Sequence, residues 1–339
     1  AITVNNTDGT CTANVSSINN GQIGGFRNLF QNGAMQINQR EDTGTLGYFN
    51  PVTSSIYTLD RWRFAVGSSF DTNSARITQD TAAPSGFRNS WKIDIYNTQT
   101  PTGSQNAGVE QRIEAQNLIG LGYGTSAAKT MTLSFYVKSY KTGTYCVQIM
   151  QEDGSKYQLH EYSISQSNVW ERKTITITGN TSDVINNDTG IGLRIVWALA
   201  CGSDDHVAAT STWASSGSFH ATSNQVNLWD NGSNDWFLTG CQLEIGNTAS
   251  DFEYRSFGVE LQHCSRYYQR LSGNNGTAIA MAFNYNTTLV DWVQQFPMGA
   301  MRSIPSFDQT NGNDYFQYQG GGNPVNHLDG AFVIEQGTT

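Results

Sequence analysis

Residues 131–138 alternate strictly: Met131, Leu133, Phe135 and Val137 are apolar, and Thr132, Ser134, Tyr136 and Lys138 carry polar groups. A period of two places one set on each side of an extended backbone, the mark of a strand with one buried face. The pattern recurs along the chain. Residues 145–150 and 157–164 form two more such runs, parted by Asp153-Gly154, a pair suited to a hairpin turn. Ile175 and Ile177 mark another run within 173–178. Leu193, Ile195, Trp197 and Leu199 mark the next, and 236–245 is the last long one. Turn residues separate these runs at the spacing of a sandwich or jelly roll. The spacing therefore predicts an all-β chain with a jelly-roll β-sandwich over 26–256.

Composition supports the same class. Only 14% of residues are charged, 12% are aromatic, and 34 glycines stand against 6 prolines. Long surface helices need Glu, Lys and Arg, which are too few here. Two helical segments are expected. One is a short turn at 111–118. The other spans 257–270, with Ser256 as N-cap, Glu260 early, and Arg266 and Arg270 late, as the helix dipole favours. Residues 1–25 are polar and turn-rich and offer no core, so they read as an extended N-terminal arm or linker. Residues 271–339 hold short strand candidates at 278–285, 289–296, 306–309 and 315–319, then a tail with few apolar residues. They read as a small C-terminal β module, too thinly cored to stand alone and expected to pack on the sandwich or on copies of itself. The chain opens on Ala1 rather than Met, as a processed chain or a piece of a longer one does.

A net charge of -9 disfavours a nucleic-acid backbone or an anionic membrane as partner and leaves a neutral glycan compatible. No apolar run approaches the roughly 20 residues that span a bilayer. The five cysteines (Cys11, Cys146, Cys201, Cys241 and Cys264) are odd in number and far apart, with no CxxC or Cys/His cluster. They read as reduced, buried, small apolar residues rather than zinc ligands.

No catalytic constellation is visible. None of the five histidines stands in a nucleophile motif, and Gly120 to Gly124 lacks the strand–turn–helix setting of a phosphate loop. Glu110 and Glu114 would share a helix face if 111–118 were helical; Glu152-Asp153 and Asp204-Asp205 sit in expected loops. Glycosidic carboxylates leave no local motif, so their absence from sequence is weak evidence. The expectation is a protein without enzymatic activity and without a cofactor. A structural calcium is conceivable at 183–188, which offers hard oxygen ligands without the spacing of an EF-hand.

The outward side of the strands carries a different signal. Opposite the apolar rows stand Tyr136 and Lys138, then Gln148, then Arg194, then Trp236, Gln242 and Glu244. Sugars favour such a mixture, because a ring stacks on their C–H faces while amides and charges bridge their hydroxyls. The same residues would equally suit a face covered by a loop, by the C-terminal module or by a sister subunit. These seven residues are the candidate carbohydrate-binding set.

The segment FRNLFQNGAMQINQR at 26–40 resembles the "RNxIxNGxMxIxQR" opening of a family of bacteriophage tail-fibre and virion surface proteins. Further matches follow in order: YTLDRW at 57–62, APSGFRNSWKI at 83–93, QRIEAQNLIGLGYGTSAAKTMTLSFYVKS at 111–139, TGTY at 142–145, WERKTITITGNT at 170–181, GIGLRIVWALACGS at 190–203 and FLTGCQLEIGNTASDFEYRSFGVELQHCSRYYQR at 237–270. The resemblance implies a jelly roll similar to calcium-linked carbohydrate-binding modules. Their closing strand carries an acid that holds calcium, where Thr239-Gly240-Cys241 stands here. It also implies multimeric, often trimeric, display on a virion behind an N-terminal arm that meets other virion proteins. FPMGAMRSIPSF at 296–307 resembles the family's short C-terminal β module. Three readings follow: a fibre domain adhering to host-surface polysaccharide, a capsid or tail decoration protein with only an assembly role, and a glycan-degrading enzyme. The first is preferred.

Overall fold

A computed structural model describes residues 26–40, 45–48, 55–68, 70, 75–270, 282–284, 290–292, 298–303, 316–319 and 325–328. The arm expected over 1–25 and the strand expected at 306–309 lie outside these residues. The chain divides into two compact units between Leu261 and Gln262.

The first unit is a jelly-roll sandwich of two antiparallel sheets. Its strands are β1 (Thr45–Tyr48), β2 (Ile56–Tyr57), β3 (Trp62–Gly67), β4 (Ala75–Asp80), β5 (Ser90–Ile95), β6 (Asn106–Glu114), β7 (Met131–Ser139), β8 (Gly143–Gln151), β9 (Lys156–Ile164), β10 (Glu171–Ile177), β11 (Ile191–Cys201), β12 (Thr210–Ser215) and β13 (Asp235–Ile245). One sheet runs β1-β4-β5-β13-β7-β10 and the other β12-β9-β8-β11-β6-β3-β2. Strands adjacent in space are mostly distant in sequence, so each sheet is assembled from non-local pairs.

The alternating residues meet between the sheets. Met131, Leu133, Phe135 and Val137 of β7, Val109 and Ile113 of β6, and Leu193, Ile195 and Trp197 of β11 share one core. Trp62, Trp91, Trp197, Trp229 and Trp236 are all fully buried in it. Trp62 is the hub, with ring centroids 5.7 Å from Phe30, 5.8 Å from Trp91 and 5.6 Å from Trp197, at tilted angles that suit aromatic quadrupoles.

Three local expectations change. Residues 111–114 belong to β6 rather than to a helix, and only Ala115–Leu121 turns, as a 3-10 helix. Val109, Gln111 and Ile113 point inward at period two, and pairing on both sides with β3 and β11 outweighs local propensity. The helix α1 covers Phe257–Ser265 and stops before 270. There the Cys264 carbonyl accepts from both Tyr267 and Tyr268, which ends the regular ladder.

The third change is at β13. Its alternation is broken by a bulge at Gly240, whose φ is +61°. Before it, Trp236 and Leu238 face the core; after it, Cys241 and Leu243 do. An unbroken strand would have to expose either the first pair or the second. Burying an indole alone removes roughly 200 Å² from water, about 5 kcal/mol at 25 cal/mol per Å². The bulge costs about 1 kcal/mol of glycine entropy, so the bulge wins. Only glycine fits, because a Cβ would lie 2.7 Å from Phe87 Cζ and 2.9 Å from Tyr136 Cδ2.

Beyond the bulge β13 keeps β7 on one side but has lost β5 on the other, since β5 pairs only with Asp235 to Leu238. The opening segment takes that place. Leu29 donates to the Leu243 carbonyl (2.8 Å) and Cys241 to the Gly33 carbonyl (2.9 Å). The Asn28 amide works as a surrogate peptide, donating to the Cys241 carbonyl (3.0 Å) and accepting from Leu243 N–H (3.1 Å). Gly33 must lack a side chain because a Cβ there would collide with the Cys241 carbonyl. The "RN…NG" motif is thus a sheet-completing device.

In the second unit the described strands form two hairpins, β14 (Ala282–Asn284) with β15 (Val290–Trp292), and β16 (Phe316–Gln319) with β17 (Val325–Leu328). β17 falls within 320–339, where the sequence offered no strand.

Candidate functional site

The outer face of the six-stranded sheet gathers aromatic rings and cations in two cross-strand rows. In the first, Lys92 of β5 stands opposite Phe237 of β13, and Phe237 opposite Lys138 of β7. The Lys138 ammonium lies 4.0 Å from the Phe237 ring centroid and 5.6 Å from that of Trp170, and the two rings are 6.0 Å apart. In the second, Thr239 stands opposite Tyr136, and Tyr136 opposite Arg172 of β10.

Tyr136 belongs to a cluster of four rings. Phe87 is 5.4 Å from Tyr136, 5.0 Å from Phe252 and 5.6 Å from Tyr254, and Phe252 and Tyr254 are 4.9 Å apart. Tyr254 is 56% exposed, yet its hydroxyl is fixed on the Gly86 carbonyl at 2.9 Å. Burial, aided by the Tyr136 phenol, raises its pKa, so it stays a neutral donor. Burial likewise pushes the Asp235 carboxyl up, against the nearby Tyr140 N–H, Lys92 and Lys138.

Residues 252–255 hold this cluster by alternating. Phe252 and Tyr254 turn to the rings, and Glu253 and Arg255 turn to the opening segment. The Glu253 carboxylate accepts from the N–H groups of Arg27 (3.0 Å) and Asn28 (2.8 Å). The Arg255 guanidinium donates to the carbonyls of Phe30 (3.0 Å) and Asn28, and lies 3.3 Å from Glu253 and 3.5 Å from Glu260. Glu260 accepts from Asn32 N–H. A shallow depression lies along this seam. Its asparagines are already spent: Asn28 on Cys241, Leu243 and Phe30, and Asn32 on Ile37 and Asp60. The seam is a fastening rather than a receptor.

Of the seven candidate residues, Tyr136 and Lys138 stand together in this platform. Trp236 does not: it is fully buried in the core, because the bulge at Gly240 inverts the face on which 236 and 238 lie. Gln242 and Glu244 are on the outer face but covered. Gln242 donates to Glu244 (2.8 Å) and accepts from Glu253 N–H (2.8 Å), and Glu244 accepts from Ser250 N–H and Oγ, so both tie down 250–253. Gln148 is on the other sheet, 1% exposed, bonded to the Ser218 carbonyl and to His220 N–H. The segment 202–227, which includes the edge strand β12, packs Val207, Ala214, Phe219 and Ala221 against that part of the sheet and closes a second core around Cys146, Met150, Leu159 and Val196. Arg194 shares the other sheet's outer face but sits in an ion cluster with Glu110 and Glu152.

The sequence reading missed Phe87, Trp170, Phe237, Phe252 and Tyr254. Phe252 and Tyr254 had a readable signal in their alternation with Glu253 and Arg255. Phe87 had none, because a turn brings it over the sheet.

Among the described residues, no group of three or more His, Cys, Asp or Glu side chains is placed to hold a metal ion. The calcium position implied by the resemblance does not fit this chain. Thr239 donates its hydroxyl to the Asn89 carbonyl, Gly240 is the bulge, and Cys241 is buried in the core. No hard carboxylate is supplied there. Cys146, Cys201, Cys241 and Cys264 are buried and form no disulfide, and burial raises the pKa of the first three. No helix among the described residues is long and apolar enough to cross a membrane.

No protein-family model matches the chain, and no curated protein does. Solved structures give distant matches. A tailspike protein domain of bacteriophage CBA120 is 10% identical with a TM-score of 0.32; the match covers 55% of this chain and 19% of that one. A family 4 carbohydrate-binding module is 16% identical, TM-score 0.32, covering 63% of this chain and 97% of that one. The C-terminal family 22 carbohydrate-binding module of Clostridium thermocellum Xyn10B is 11% identical, TM-score 0.32, covering 62% and 100%.

Proposed function

We propose that this chain is a bacteriophage virion surface protein that adheres to host-surface polysaccharide through the outer face of its six-stranded sheet. The observation that carries the reading is the platform itself, with four mutually packed rings ending in the exposed Tyr254, beside Lys138 on Phe237 and Trp170. Rings held rigid by their neighbours lose little entropy on binding and offer flat apolar faces to sugar C–H groups. Lys92, Lys138 and Arg172 supply donors to hydroxyls around them. The ordered motifs of 26–270 support the virion setting, and the same motifs include the residues that build the platform.

Tyr254→Ala and Tyr136→Ala are each expected to weaken binding to host cells or to a responsive glycan about tenfold, the scale of one lost stacking contact. Thermal unfolding should barely move for Tyr254→Ala. Undiminished binding in both variants on a glycan array and on whole cells would sink the choice of face. Adhesion without cleavage is part of the proposal, and new reducing ends on incubation with the bound polysaccharide would overturn it.

The virion setting carries a further expectation. The full chain should sediment as a homo-oligomer, a trimer, because residues 1–25 read as an arm without a core of its own and the resemblance implies multimeric display. A monomer at micromolar concentration would refute that assembly.

A further inference from the structure

On the opposite sheet lies a second group of charges that the platform does not use. Arg63 of β3 stands opposite Glu110 of β6, and Arg112, two residues along β6, stands directly opposite Arg194 of β11. Like charges facing each other across a sheet repel. All three converge on one carboxylate. Arg63 Nη1 is 2.6 Å and Arg112 Nε 2.7 Å from Glu110 Oε1, and Arg194 Nη1 is 3.7 Å from Oε2. Arg194 Nε also meets Glu152 at 2.8 Å, and its Nη2 meets the Met150 sulfur at 2.9 Å.

The cluster is overfilled with cations. Three guanidinium groups face two carboxylates, three minus two leaving one positive charge, on a chain whose net charge is -9. Glu110 is 1% exposed, with both of its hydrogen bonds on Oε1, whereas the arginines are 20%, 26% and 20% exposed. Neither Nη of Arg112 has a hydrogen-bond acceptor among the described residues, and the same holds for Nη2 of Arg63. The buried Glu110 carboxylate holds Arg63 and Arg112 by hydrogen bonds to Oε1 and Arg194 by charge near Oε2, and the outer edges of the guanidinium groups are left as donors. Such edges match the two oxygens of a carboxylate or phosphate. Phe219 approaches Gly108, two residues from Glu110 along β6.

We infer that Arg63, Arg112 and Arg194 form an anion subsite that takes the acidic group of a charged polysaccharide, a uronate carboxylate or a backbone phosphodiester. The subsite is separate from the aromatic platform, and it extends the proposed adhesion to acidic glycans without depending on it.

Titration calorimetry of the full chain with polygalacturonate, with poly(glycerol phosphate) and with neutral dextran tests the inference. At least one acidic polymer should bind more tightly than dextran and weaken strongly as salt is raised. Which of the two binds identifies the anion. Arg112→Gln should lower that affinity about tenfold, the scale of one charge-assisted pair. The salt dependence of acidic-polymer binding should persist in Tyr254→Ala, whatever that variant loses in overall affinity, and should shrink in Arg112→Gln, so failure of the platform and failure of the subsite are told apart. If Arg112→Gln does not fold, Arg112→Lys is measured instead. It keeps the charge on Glu110 but loses the fork, and a severalfold loss is expected. The inference is overturned if neither acidic polymer outbinds dextran, or if the folded Arg112 variant and Arg194→Lys both bind as the unmodified protein does.

Discussion

Trp236→Ala is expected to lower stability by about 3–5 kcal/mol, the range for emptying an aromatic site in a packed core. The indole is fully buried in the cluster that joins both sheets. Its removal opens a cavity lined by side chains fixed from several strands, which cannot collapse into it. Urea unfolding is the measurement, and a midpoint close to that of the unmodified protein would mean that the indole is not in the core. The folded fraction should bind glycan normally, which separates this residue from Tyr254. A residue chosen from alternation as a surface contact thus becomes a test of the core.

Arg255→Ala is expected to cost a similar amount, about 3–5 kcal/mol, for a different reason. The Arg255 side chain is only 5% exposed. It satisfies the carbonyls of Asn28 and Phe30 and lies between two carboxylates, Glu253 and Glu260. Deleting it strands two acceptors and leaves two partly buried carboxylates facing each other without a cation. Arg255→Lys keeps the charge but cannot reach both carbonyls with one planar fork, so an intermediate loss is expected. Calorimetric melting distinguishes these cases; equal melting of the alanine variant and the unmodified protein would show that the seam adds nothing.

How much of this was legible beforehand follows from how local each cause is. The run at 131–138 displayed its buried face because every second residue of β7 meets the same core. The hairpin at Asp153-Gly154 was legible because its turn chemistry sits in two adjacent residues; the loop is closed by Ser155 N–H on the Glu152 carbonyl. The start of α1 at Phe257 was legible for the same reason. β13 was misread because one residue, Gly240, exchanges the two faces. The signal was present, since a glycine inside a strand marks a bulge, but alternation was carried straight through it. Gln148 was assigned to the correct face and still proved unavailable. What hides it is the segment 202–227, more than fifty residues later in the chain, and no local pattern announces such a cover. Glu110 was weighed as one of a catalytic pair on a helix; on β6 it is instead the counter-ion of three arginines from three strands. Clusters of that kind exist only once strand order is known.

The seam between the first and last segments of the sandwich has a kinetic meaning. Its contacts join residues 208 to 228 positions apart, from Gly33 with Cys241 to Asn32 with Glu260. Loop-closure entropy makes contacts of such separation late and slow to form, and a fold with high contact order has few local steps that can stand alone. A chain emerging from the ribosome carries its first sheet-completing residues long before it carries the strand they complete. Until 241–260 are made, the 26–33 segment has only its side-chain partners Gln111 and Trp62 on the other sheet, and its place in the six-stranded sheet stays unfilled. Completion of the domain is therefore tied to completion of the chain through Glu260, so a fragment ending earlier would present an unfilled sheet edge rather than a finished surface.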